Sequence, residues 1–338
     1  MPPRKSTHRS PARFIARTLR GAKPAPFPGF VEPCLATPRA VTPTGERWVH
    51  ELKLDGYRAQ ATFHDARATV YSRRGNDWTA RFPTIAGALQ HLPANGFIID
   101  GEVVVPDEQG RPNFGRLQDD LAVNRTDRML YYAFDLLWSD GFDLRAAPLI
   151  DRKRVLAQIL ASAPAPILYS EHFEIEGEVM YAQACKFGVE GTLSKLRNAP
   201  YRSGRGESWI KVKCMQRRRF VVVGFVPEAS SAVAALRLGE LRDGKLMYVG
   251  KVGTGWGREL SAEMRRTLQP LARPTPPLAE RIRKAGTVWV EPRYQADVEF
   301  AEITDEGLVR HPSFKGLSPL PNQPAKPRER LAPRSRVP

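Results

Sequence analysis

The chain has 338 residues, of which 42% are hydrophobic, and this is enough for two domains of ordinary size with apolar cores. Lys and Arg number 52 against 36 Asp and Glu, and the net charge of +16 favours a polyanionic partner, first of all nucleic acid. No apolar run approaches the roughly 20 residues of a membrane span, and the N-terminus lacks the apolar core of a secretory signal, so we expect neither membrane insertion nor secretion.

The three cysteines, Cys34, Cys185 and Cys214, lie far apart in the sequence. None of the close spacings that are typical of a zinc site or of a disulfide framework occurs among them. The sequence therefore predicts reduced thiols and a cytoplasmic setting.

Both ends of the chain are basic and poor in apolar residues. Residues 1–27 and 321–338 mix Pro and Ser with Arg and Lys, and such segments bury too little surface to fold alone. We expect a flexible basic arm and a flexible basic tail that contact phosphates, with a contribution to affinity that falls as salt rises.

Between the ends, residues 28–215 alternate strand patterns with helical patterns. Runs rich in β-branched and aromatic residues predict strands, and apolar residues spaced three and four apart predict helices. The strand candidates are RATVYSRRG, GFIIDGEVVVP and MLYYAFDLLW, and the helix candidates are DRKRVLAQILAS and GEVMYAQACKFG. This is an α+β pattern and not a regular βαβ repeat.

The pattern changes after WIKVKCMQRRR. Residues 216–320 carry the strand candidates FVVVGFVP, AALRLGELRDGKLMYVGKVG and DVEFAEITDEGLVRHP, with Gly-containing turns, and one helix candidate, GRELSAEMRRTLQ. Strands with a single helix predict a small β-barrel of the OB type as a second domain.

A lysine stands where a strand pattern ends, in the stretch HELKLDGYRAQ. Lys53 is followed by Asp55 and Gly56, and the glycine indicates a tight turn that would leave the lysine at a cleft. A lysine is a nucleophile only when deprotonated, and burial or neighbouring cations lower its pKa from about 10.4 toward neutrality. Lys53 is therefore a candidate nucleophile, although a surface hairpin with a Lys–Asp pair would produce the same letters.

Five further signatures follow KLDGYR along the chain. They are SRRG from Ser72, DGE from Asp100, YAFDLL from Tyr132, EGTLSK from Glu190 and WIKVK from Trp209. In this order they resemble the covalent nucleotidyltransferases, which include ATP-dependent DNA ligases and messenger-RNA capping enzymes. Wider segments such as FVEPCLAT, PYRSGRGESWIKVKC and VRHPSFKGL are similar to the ligase domains of the bacterial ligase D family, over about residues 28–317.

The resemblance implies a nucleotidyltransferase (adenylation) domain of antiparallel sheets with helices, followed by an OB-fold β-barrel domain that swings relative to it. It implies that Lys53 attacks the α-phosphate of ATP, forms a lysyl-AMP phosphoramidate and releases pyrophosphate. AMP then passes to a DNA 5′-phosphate, and the neighbouring 3′-hydroxyl displaces it and closes the nick. The expected activity is that of an ATP-dependent DNA ligase, in DNA repair or bacterial non-homologous end joining.

The same resemblance implies roles around the nucleotide. Lys211 and Lys213, at alternate positions of one strand, point to one face and would hold the α-phosphate. Glu102 and Glu190 would bind Mg²⁺ or Mn²⁺, which prefer oxygen ligands. The full set of nucleotide contacts is expected to be Lys53, Glu51, Leu52, Asp55, Arg58, Arg73, Glu102, Phe134, Lys211 and Lys213.

Several of these side chains also have ordinary structural interpretations. Glu102 and Glu190 could be salt-bridge partners, and Phe134 could be a core aromatic of an apolar strand. The lysines of WIKVK could mark a half-exposed strand. The resemblance favours instead a Phe134 ring stacked on adenine, with the backbone at Glu51 and Leu52 reading the edge of the base.

The resemblance also implies contacts with DNA. Asp55 and Arg73 would hold the ribose or the 5′-phosphate end. The arginines expected to contact DNA phosphates are Arg73, Arg74, Arg217, Arg218 and Arg219.

One signature departs from the family pattern. In related ligases an arginine and a lysine near the end of the OB domain orient the outgoing pyrophosphate. Here RHPSFKGL is followed by SPLPNQP in place of a continuation similar to REDK, which leaves Arg310 and Lys315 as the nearest candidates. We therefore expect slow loading of ATP and competent sealing of nicks.

The expected substrate is nicked double-stranded DNA, and the chain is expected to act as a monomer without a membrane. A Ku-like end-binding protein and a separate repair polymerase are candidate partners. Two other functions stay open at this point: an RNA ligase or capping-type guanylyltransferase, which would use the same lysines and glutamates, and a non-catalytic DNA-binding repair scaffold.

Overall fold

The computed structural model describes residues 16–228, 232–280, 282–304 and 306–321. The chain divides into two compact units after Cys214. The boundary predicted after residue 215 thus lies one residue away. Within the described residues, no helix combines the length and the apolar character needed to cross a membrane.

The first unit contains two β-sheets with helices packed around them. Its strands are β1 (Lys23–Pro24), β2 (Cys34–Pro38), β3 (Trp48–Lys53), β4 (Tyr57–His64), β5 (Arg67–Ser72), β6 (Phe97–Val104), β7 (Leu130–Ser139), β8 (Phe142–Asp143), β9 (Ile167–Tyr169), β10 (Gly191–Leu196) and β11 (Gly204–Lys213). Its α-helices are α1 (Pro83–Leu89), α2 (Phe114–Ala122), α3 (Leu149–Leu160) and α4 (Gly177–Phe187), and a 3₁₀ turn spans Thr79–Arg81. The strands and helices predicted for this region are confirmed.

The two sheets meet through the β3–β4 turn. The larger sheet runs in the order β1-β8-β7-β6-β4-β5, with β9 beside β7, and the smaller one in the order β2-β11-β10-β3. The pairings are antiparallel except those of β9 with β7 and of β2 with β11. Because β3 belongs to one sheet and β4 to the other, the end of β3 lies where the chain crosses between them.

The central strands read as continuous apolar runs because the larger sheet is covered on both faces. Phe97 and Ile99 of β6 belong to one buried cluster, whereas Ile98, between them, belongs to another that includes Phe134. Successive side chains of a strand point to opposite faces, so both faces are buried in this part of β6. The sheet is therefore a rigid support for whatever lies at its edge.

Residues 16–27 do not form the flexible arm that their composition predicts. Ala16 and Leu19 are buried in the core of the first unit, and β1 pairs with β8. The ring of Phe27 stacks on that of His64, with centroids 4.3 Å apart. A few apolar side chains suffice to dock a polar segment onto an existing core. The overall composition of the segment is polar and basic, so it does not reveal these few contacts. The rest of the arm, residues 1–15, and residues 322–338 of the predicted tail lie outside the described residues.

The second unit is an antiparallel β-structure with one α-helix in its described part. Its strands are β12 (Gln216–Glu228), β13 (Ala232–Arg242), β14 (Lys245–Val252), β15 (Ala272–Arg273), β16 (Val288–Val290), β17 (Tyr294–Phe300), β18 (Glu302–Ile303), β19 (Val309–Arg310) and β20 (Ser313–Pro319), its helix is α5 (Arg258–Leu268), and a 3₁₀ turn spans Gln269–Leu271. The long strand β12 pairs with β13, β16 and β17 around a core that includes Phe220, Phe225 and Phe300. This architecture agrees with the predicted OB-fold domain.

Two cysteines are joined by a disulfide, Cys185 with Cys214, and their Cα atoms lie 5.4 Å apart. The prediction of three reduced thiols is therefore wrong for this pair, whereas Cys34 is a free, buried thiol. The two cysteines are separated by 29 residues in the sequence. Spacing alone could not reveal that the end of α4 and the end of β11 lie side by side.

Candidate active site

Strand register brings the predicted lysines together on one face of the smaller sheet. Gly191 of β10 lies opposite both Lys53 of β3 and Lys213 of β11. Gly191 has φ +151°, and a Cβ there would lie 2.1 Å from the carbonyl oxygen of Val212, so only glycine fits this close approach. Across three neighbouring strands, Lys53 and Lys213 are thus in line.

Glu190 bridges the two lysines. Its Oε2 accepts a short contact from Lys53 Nζ, and its Oε1 lies 2.6 Å from Lys213 Nζ. Burial works against ionisation of this carboxyl, but Lys53 and Lys213 outweigh it and hold the pKa of Glu190 below its usual range. The side chains of Lys53 and Glu190 are 17% and 13% exposed, so this ion pair lies largely out of solvent.

The surroundings of Lys53 differ in one respect from those predicted. The sequence predicts cations around Lys53, but the charged group nearest to Lys53 Nζ is the Glu190 carboxylate. Cations are present as well, because Lys211 and Lys213 are two residues apart in β11 and point to the same face. Burial, reinforced by Lys53, Lys213 and Arg205, lowers the pKa of Lys211.

Glu102 lies near the end of β6, a central strand of the larger sheet, and is opposite Arg58 in the β4–β6 ladder. Gly56 makes this approach possible, because a Cβ at that position would come within 2.2 Å of the Val103 carbonyl oxygen. Burial, with further repulsion from Glu190 and Asp100, raises the pKa of Glu102 to about 8 despite the attraction of Lys53 and Arg58.

Arg58 is committed to a fork with Asp100. Its Nε and Nη2 donate to the two carboxylate oxygens at 3.0 and 2.6 Å, and the Tyr201 hydroxyl donates to the same carboxylate at 2.6 Å. Burial disfavours the charged guanidinium, but Asp100 more than offsets this and raises the pKa of Arg58. Arg58 therefore contributes positive charge to the cavity wall from a fixed position.

A buried charge cluster beneath the lysines escaped the reasoning from sequence. The Glu51 carboxylate accepts hydrogen bonds from Lys153 Nζ at 2.8 Å and from Lys195 Nζ at 2.9 Å. Burial opposes this charge, but the two lysines lower the pKa of Glu51 below its usual range. One member of the cluster, Lys195, belongs to the EGTLSK signature and could have been suspected from the sequence. The other lysine, Lys153, lies in a helix whose sequence gives no sign of a buried charge.

Phe134 is both a core residue and a cavity residue. It is 7% exposed and packs edge-on against Trp209, with ring centroids 5.8 Å apart. Lys195 Nζ lies 4.4 Å from the centroid of Phe134 and 4.2 Å from that of Trp209. These cation–π contacts hold the two rings in place. Phe134 is thus a packed aromatic residue that also lines the cavity, and its stacking on adenine stays a prediction.

The SRRG signature forms a closed loop at the cavity rim. Ser72 donates its backbone N–H to the Asn76 carbonyl at 2.8 Å, and Gly75 donates to the Ser72 carbonyl at 2.9 Å. Gly75 has φ +80°, which the turn requires. The loop presents Arg73 and Arg74 to solvent at the cavity.

Most of the residues predicted to bind the nucleotide line one cavity of about 940 Å³ in the first unit. Its walls include the predicted residues Glu51, Leu52, Lys53, Arg58, Arg73, Arg74, Glu102, Phe134 and Lys211. Asp55 stands in the β3–β4 turn between the cavity-lining Leu54 and Gly56. Trp209 and Arg205 also line it and were not among the predicted contacts.

The donor set suits a divalent cation that is shared with a substrate. No group of three or more His, Cys, Asp or Glu side chains that could hold a metal occurs among the described residues. Two carboxylates, Glu102 and Glu190, approach closely enough to repel each other. Mg²⁺ is characteristically held by one or two carboxylates together with substrate phosphates, so the two carboxylates fit such an ion.

Three of the five residues predicted in the second unit, Arg217, Arg218 and Lys315, form ion pairs within that unit. Arg217 donates to both oxygens of Asp297 at 2.9 and 2.6 Å, and Arg218 lies 3.8 Å from Glu240. Lys315 lies 3.3 Å from Glu299. Arg219 is exposed on β12, and Arg310 lies in β19, paired in register with residue 302.

Comparison with known families gives two matches. Residues 28–213 match the family described as the ATP dependent DNA ligase domain, and residues 229–319 match the ATP dependent DNA ligase C terminal region. The two matched ranges correspond to the two structural units.

Among curated proteins, the chain is similar to the multifunctional non-homologous end joining protein LigD of Pseudomonas aeruginosa. The two are 37% identical over 324 residues, which is 93% of this chain and 38% of that protein. The chain therefore spans well under half the length of this relative.

Among solved structures, the chain is similar to the ligase domain from M. tuberculosis LigD. The TM-score is 0.53 at 32% sequence identity, over 85% of this chain and 94% of that one. A mycobacterial DNA ligase D complexed with ATP and MES gives a TM-score of 0.52 at 31% identity, over the same shares of the two chains.

Proposed function

Because the chain belongs to the family of ATP-dependent DNA ligases, we propose that it seals nicks in duplex DNA through a lysyl-AMP intermediate on Lys53. One observation supports this most directly. The Lys53 side chain stands in a large cavity, on a sheet face shared with Lys211 and Lys213 and in contact with Glu190.

The reaction consists of three displacements at phosphorus. Lys53 Nζ bonds to the α-phosphorus of ATP while the bond to the β-phosphate oxygen breaks and pyrophosphate leaves. A DNA 5′-phosphate oxygen then bonds to the same phosphorus, and the P–N bond to Lys53 breaks. Finally the 3′-hydroxyl attacks the 5′-phosphorus and AMP leaves. Such chemistry depends mainly on in-line positioning and on neutralising charge at the phosphate oxygens.

The cavity supplies that neutralisation from fixed positions. Lys211 and Lys213 lie on β11, which is separated from the Lys53 strand β3 only by β10, so a phosphate bonded to Lys53 Nζ would meet both ammonium groups. The lowered pKa of Lys211 reflects burial and the positive charges around it. Binding of an anion would relieve the repulsion among these lysines.

The base and sugar would occupy the deeper end of the cavity. Phe134 and Trp209, pinned by Lys195, offer aromatic surface to adenine, and Phe134 stacks on it in this proposal. The backbone at Glu51 and Leu52 would read the edge of the base. Asp55 and Arg73, at the mouth, would hold the ribose or the 5′-phosphate.

Glu102 and Glu190 would hold Mg²⁺ or Mn²⁺ together with phosphate oxygens. The ion would polarise the phosphate and neutralise its charge. A divalent cation would also favour the ionised form of Glu102, whose carboxyl is otherwise kept largely protonated near neutral pH by its surroundings.

DNA contacts would begin at the SRRG loop. Arg73 and Arg74 are exposed there beside the cavity and can reach phosphates without giving up an ion pair shown for them in the described residues. Arg217 and Arg218 would have to exchange Asp297 and Glu240 for DNA phosphates, whereas Arg219 is exposed. In the proposal all five arginines contact the duplex.

The setting we propose is bacterial non-homologous end joining, in the cytoplasm, with the chain acting as a monomer. The likeness to the end joining protein LigD supports it. A Ku-like end-binding protein and a separate polymerase would then deliver the nick. The alternatives of an RNA ligase, a capping guanylyltransferase and a non-catalytic scaffold are less favoured, because both units match DNA ligase families.

Intact mass spectrometry tests the proposal directly. The purified chain is incubated with ATP and Mg²⁺, and one AMP adduct is expected, absent in Lys53→Ala and absent with GTP. Addition of nicked duplex should then discharge the adduct and yield sealed DNA. A wild-type protein that never carries AMP would overturn the proposal, and discharge by nicked RNA alone would redirect it to RNA ligation.

A further inference from the structure

The disulfide lies next to the catalytic lysine network. Cys214 follows Lys213 directly in the chain, and its backbone N–H donates to the Glu190 carbonyl at 2.9 Å. Cys185 stands at the end of α4, five residues before Glu190. The bond therefore closes a loop whose two ends carry the carboxylate and the ammonium group that pair at 2.6 Å.

Noncovalent contacts also hold the segment around the bond. Tyr181 of α4 donates its hydroxyl to the Lys213 carbonyl at 3.2 Å, and Gly188, with φ +76°, turns the chain from α4 toward Glu190. Cys214 is also the last residue of the first unit, since the second begins at Met215. The disulfide thus links α4 covalently to the last residue of the first unit.

The pair is accessible to reagents. Both Cys185 and Cys214 are partly exposed, in contrast to the buried Cys34. In a reducing compartment a disulfide is usually transient, catalytic or redox-sensing and seldom a permanent brace. A protein of this size buries enough apolar surface to fold without one.

We propose that Cys185 and Cys214 form a reversible redox site that controls adenylation of Lys53. The inference rests on the proposed function, because it concerns regulation of the same site. A dithiol reductant donates two electrons: its thiolate attacks one sulfur, the Cys185–Cys214 bond breaks, and two cysteine thiols form with two protons while the reductant becomes a disulfide. An oxidant of the peroxide or disulfide class reverses the step.

The closed bond holds Lys213 and Glu190 in register. When it opens, α4 loses its covalent link to the end of β11. Lys213 is then held by its pairing with Gly191, by its ion pair with Glu190 and by the hydrogen bonds of this segment to Glu190 and Tyr181. Phosphoryl transfer is sensitive to small misplacements of charge-holding groups, so we expect reduction to slow lysyl-AMP formation about three- to tenfold. Oxidation would therefore speed the formation of lysyl-AMP.

The experiment compares two redox states of the same protein. Oxidised and dithiothreitol-reduced chains are denatured and alkylated with N-ethylmaleimide, and the expected uptake is one label before reduction and three after, since the chain has three cysteines. Single-turnover lysyl-AMP formation is then measured in both states, together with the melting temperature. The matched control is the Cys185→Ser/Cys214→Ser variant, which should load at the reduced rate and be insensitive to dithiothreitol.

Each result bears on the proposal. Slower loading after reduction, recovery on reoxidation and insensitivity of the serine variant support it, provided that both states stay folded at the assay temperature. Three labels in both states, or equal loading rates with the bond closed and open, overturn the redox site and leave the ligase function standing. Absence of AMP in either state overturns the proposed function and, with it, this inference.

Discussion

Glu102→Gln should stabilise the metal-free protein at alkaline pH. The Glu102 carboxyl lies in surroundings that raise its pKa from 4.5 to about 8, with burial as the largest cause. Between these two values the folded protein binds more protons at this group than the unfolded chain does, so its contribution to stability falls as pH rises. Glutamine keeps the shape of the side chain and has no charge to bury.

The expected magnitude follows from the same values. Each pH unit between 4.5 and about 8 carries about 1.4 kcal/mol, so the variant should gain up to about 5 kcal/mol in free energy of unfolding relative to wild type across this window. The gain should be absent at pH 4 and should level off above pH of about 8. Partial access of water to the group would reduce the slope without changing its sign.

The assay is urea unfolding of wild type and variant at several pH values, with EDTA present to remove divalent cations. Glu108→Gln is the matched control, because it makes the same chemical change at a side chain that is 79% exposed. A difference between wild type and Glu102→Gln that does not change with pH would refute the reasoning. The variant should also fail to form lysyl-AMP, which separates the functional cost of the carboxylate from its cost to folding.

Three further outcomes are expected. Lys53→Ala should abolish the AMP adduct in intact mass spectrometry yet still seal preadenylated nicks in a gel assay; equal loss of both would point to misfolding. Lys153→Met should lower the free energy of unfolding in urea by about 3 kcal/mol, because it leaves Glu51 buried with one partner fewer, and Lys153→Arg should recover part of the loss. Because the chain departs from the family pattern after Arg310 and Lys315, lysyl-AMP formation in single-turnover kinetics should be at least about tenfold slower than sealing of preadenylated DNA; comparable rates would contradict this.

The strands and helices around the site were predictable because their patterns agree with their environments. The runs that became β6 and β7 are apolar on both faces, as expected for strands buried on both sides. The alternation in WIKVK correctly predicted that Lys211 and Lys213 share a face. The turn after Lys53 was signalled by Gly56, although the reason is a close approach to Val103 and not an unusual φ.

What could not be predicted depends on contacts between distant segments. Lys153 lies 102 residues from Glu51, and nothing in its helix distinguishes it from a solvated lysine. The disulfide likewise depends on α4 and β11 ending side by side. The docking of residues 16–27 depends on a core surface that only the folded unit provides. In each case the local sequence is compatible with a solvated residue, and only the tertiary packing shows that the residue is buried or bonded.

Two carboxylates that line the cavity show how packing assigns different roles to the same residue type. Glu51 is neutralised by Lys153 and Lys195, and its pKa falls despite burial. Glu102 forms no ion pair within 4.0 Å among the described residues, and its pKa rises to about 8. A buried carboxylate without a partner costs stability unless a ligand supplies the missing charge. Glu51 therefore stabilises the cavity floor through its two lysines, whereas Glu102 is the carboxylate that we propose to bind a divalent cation.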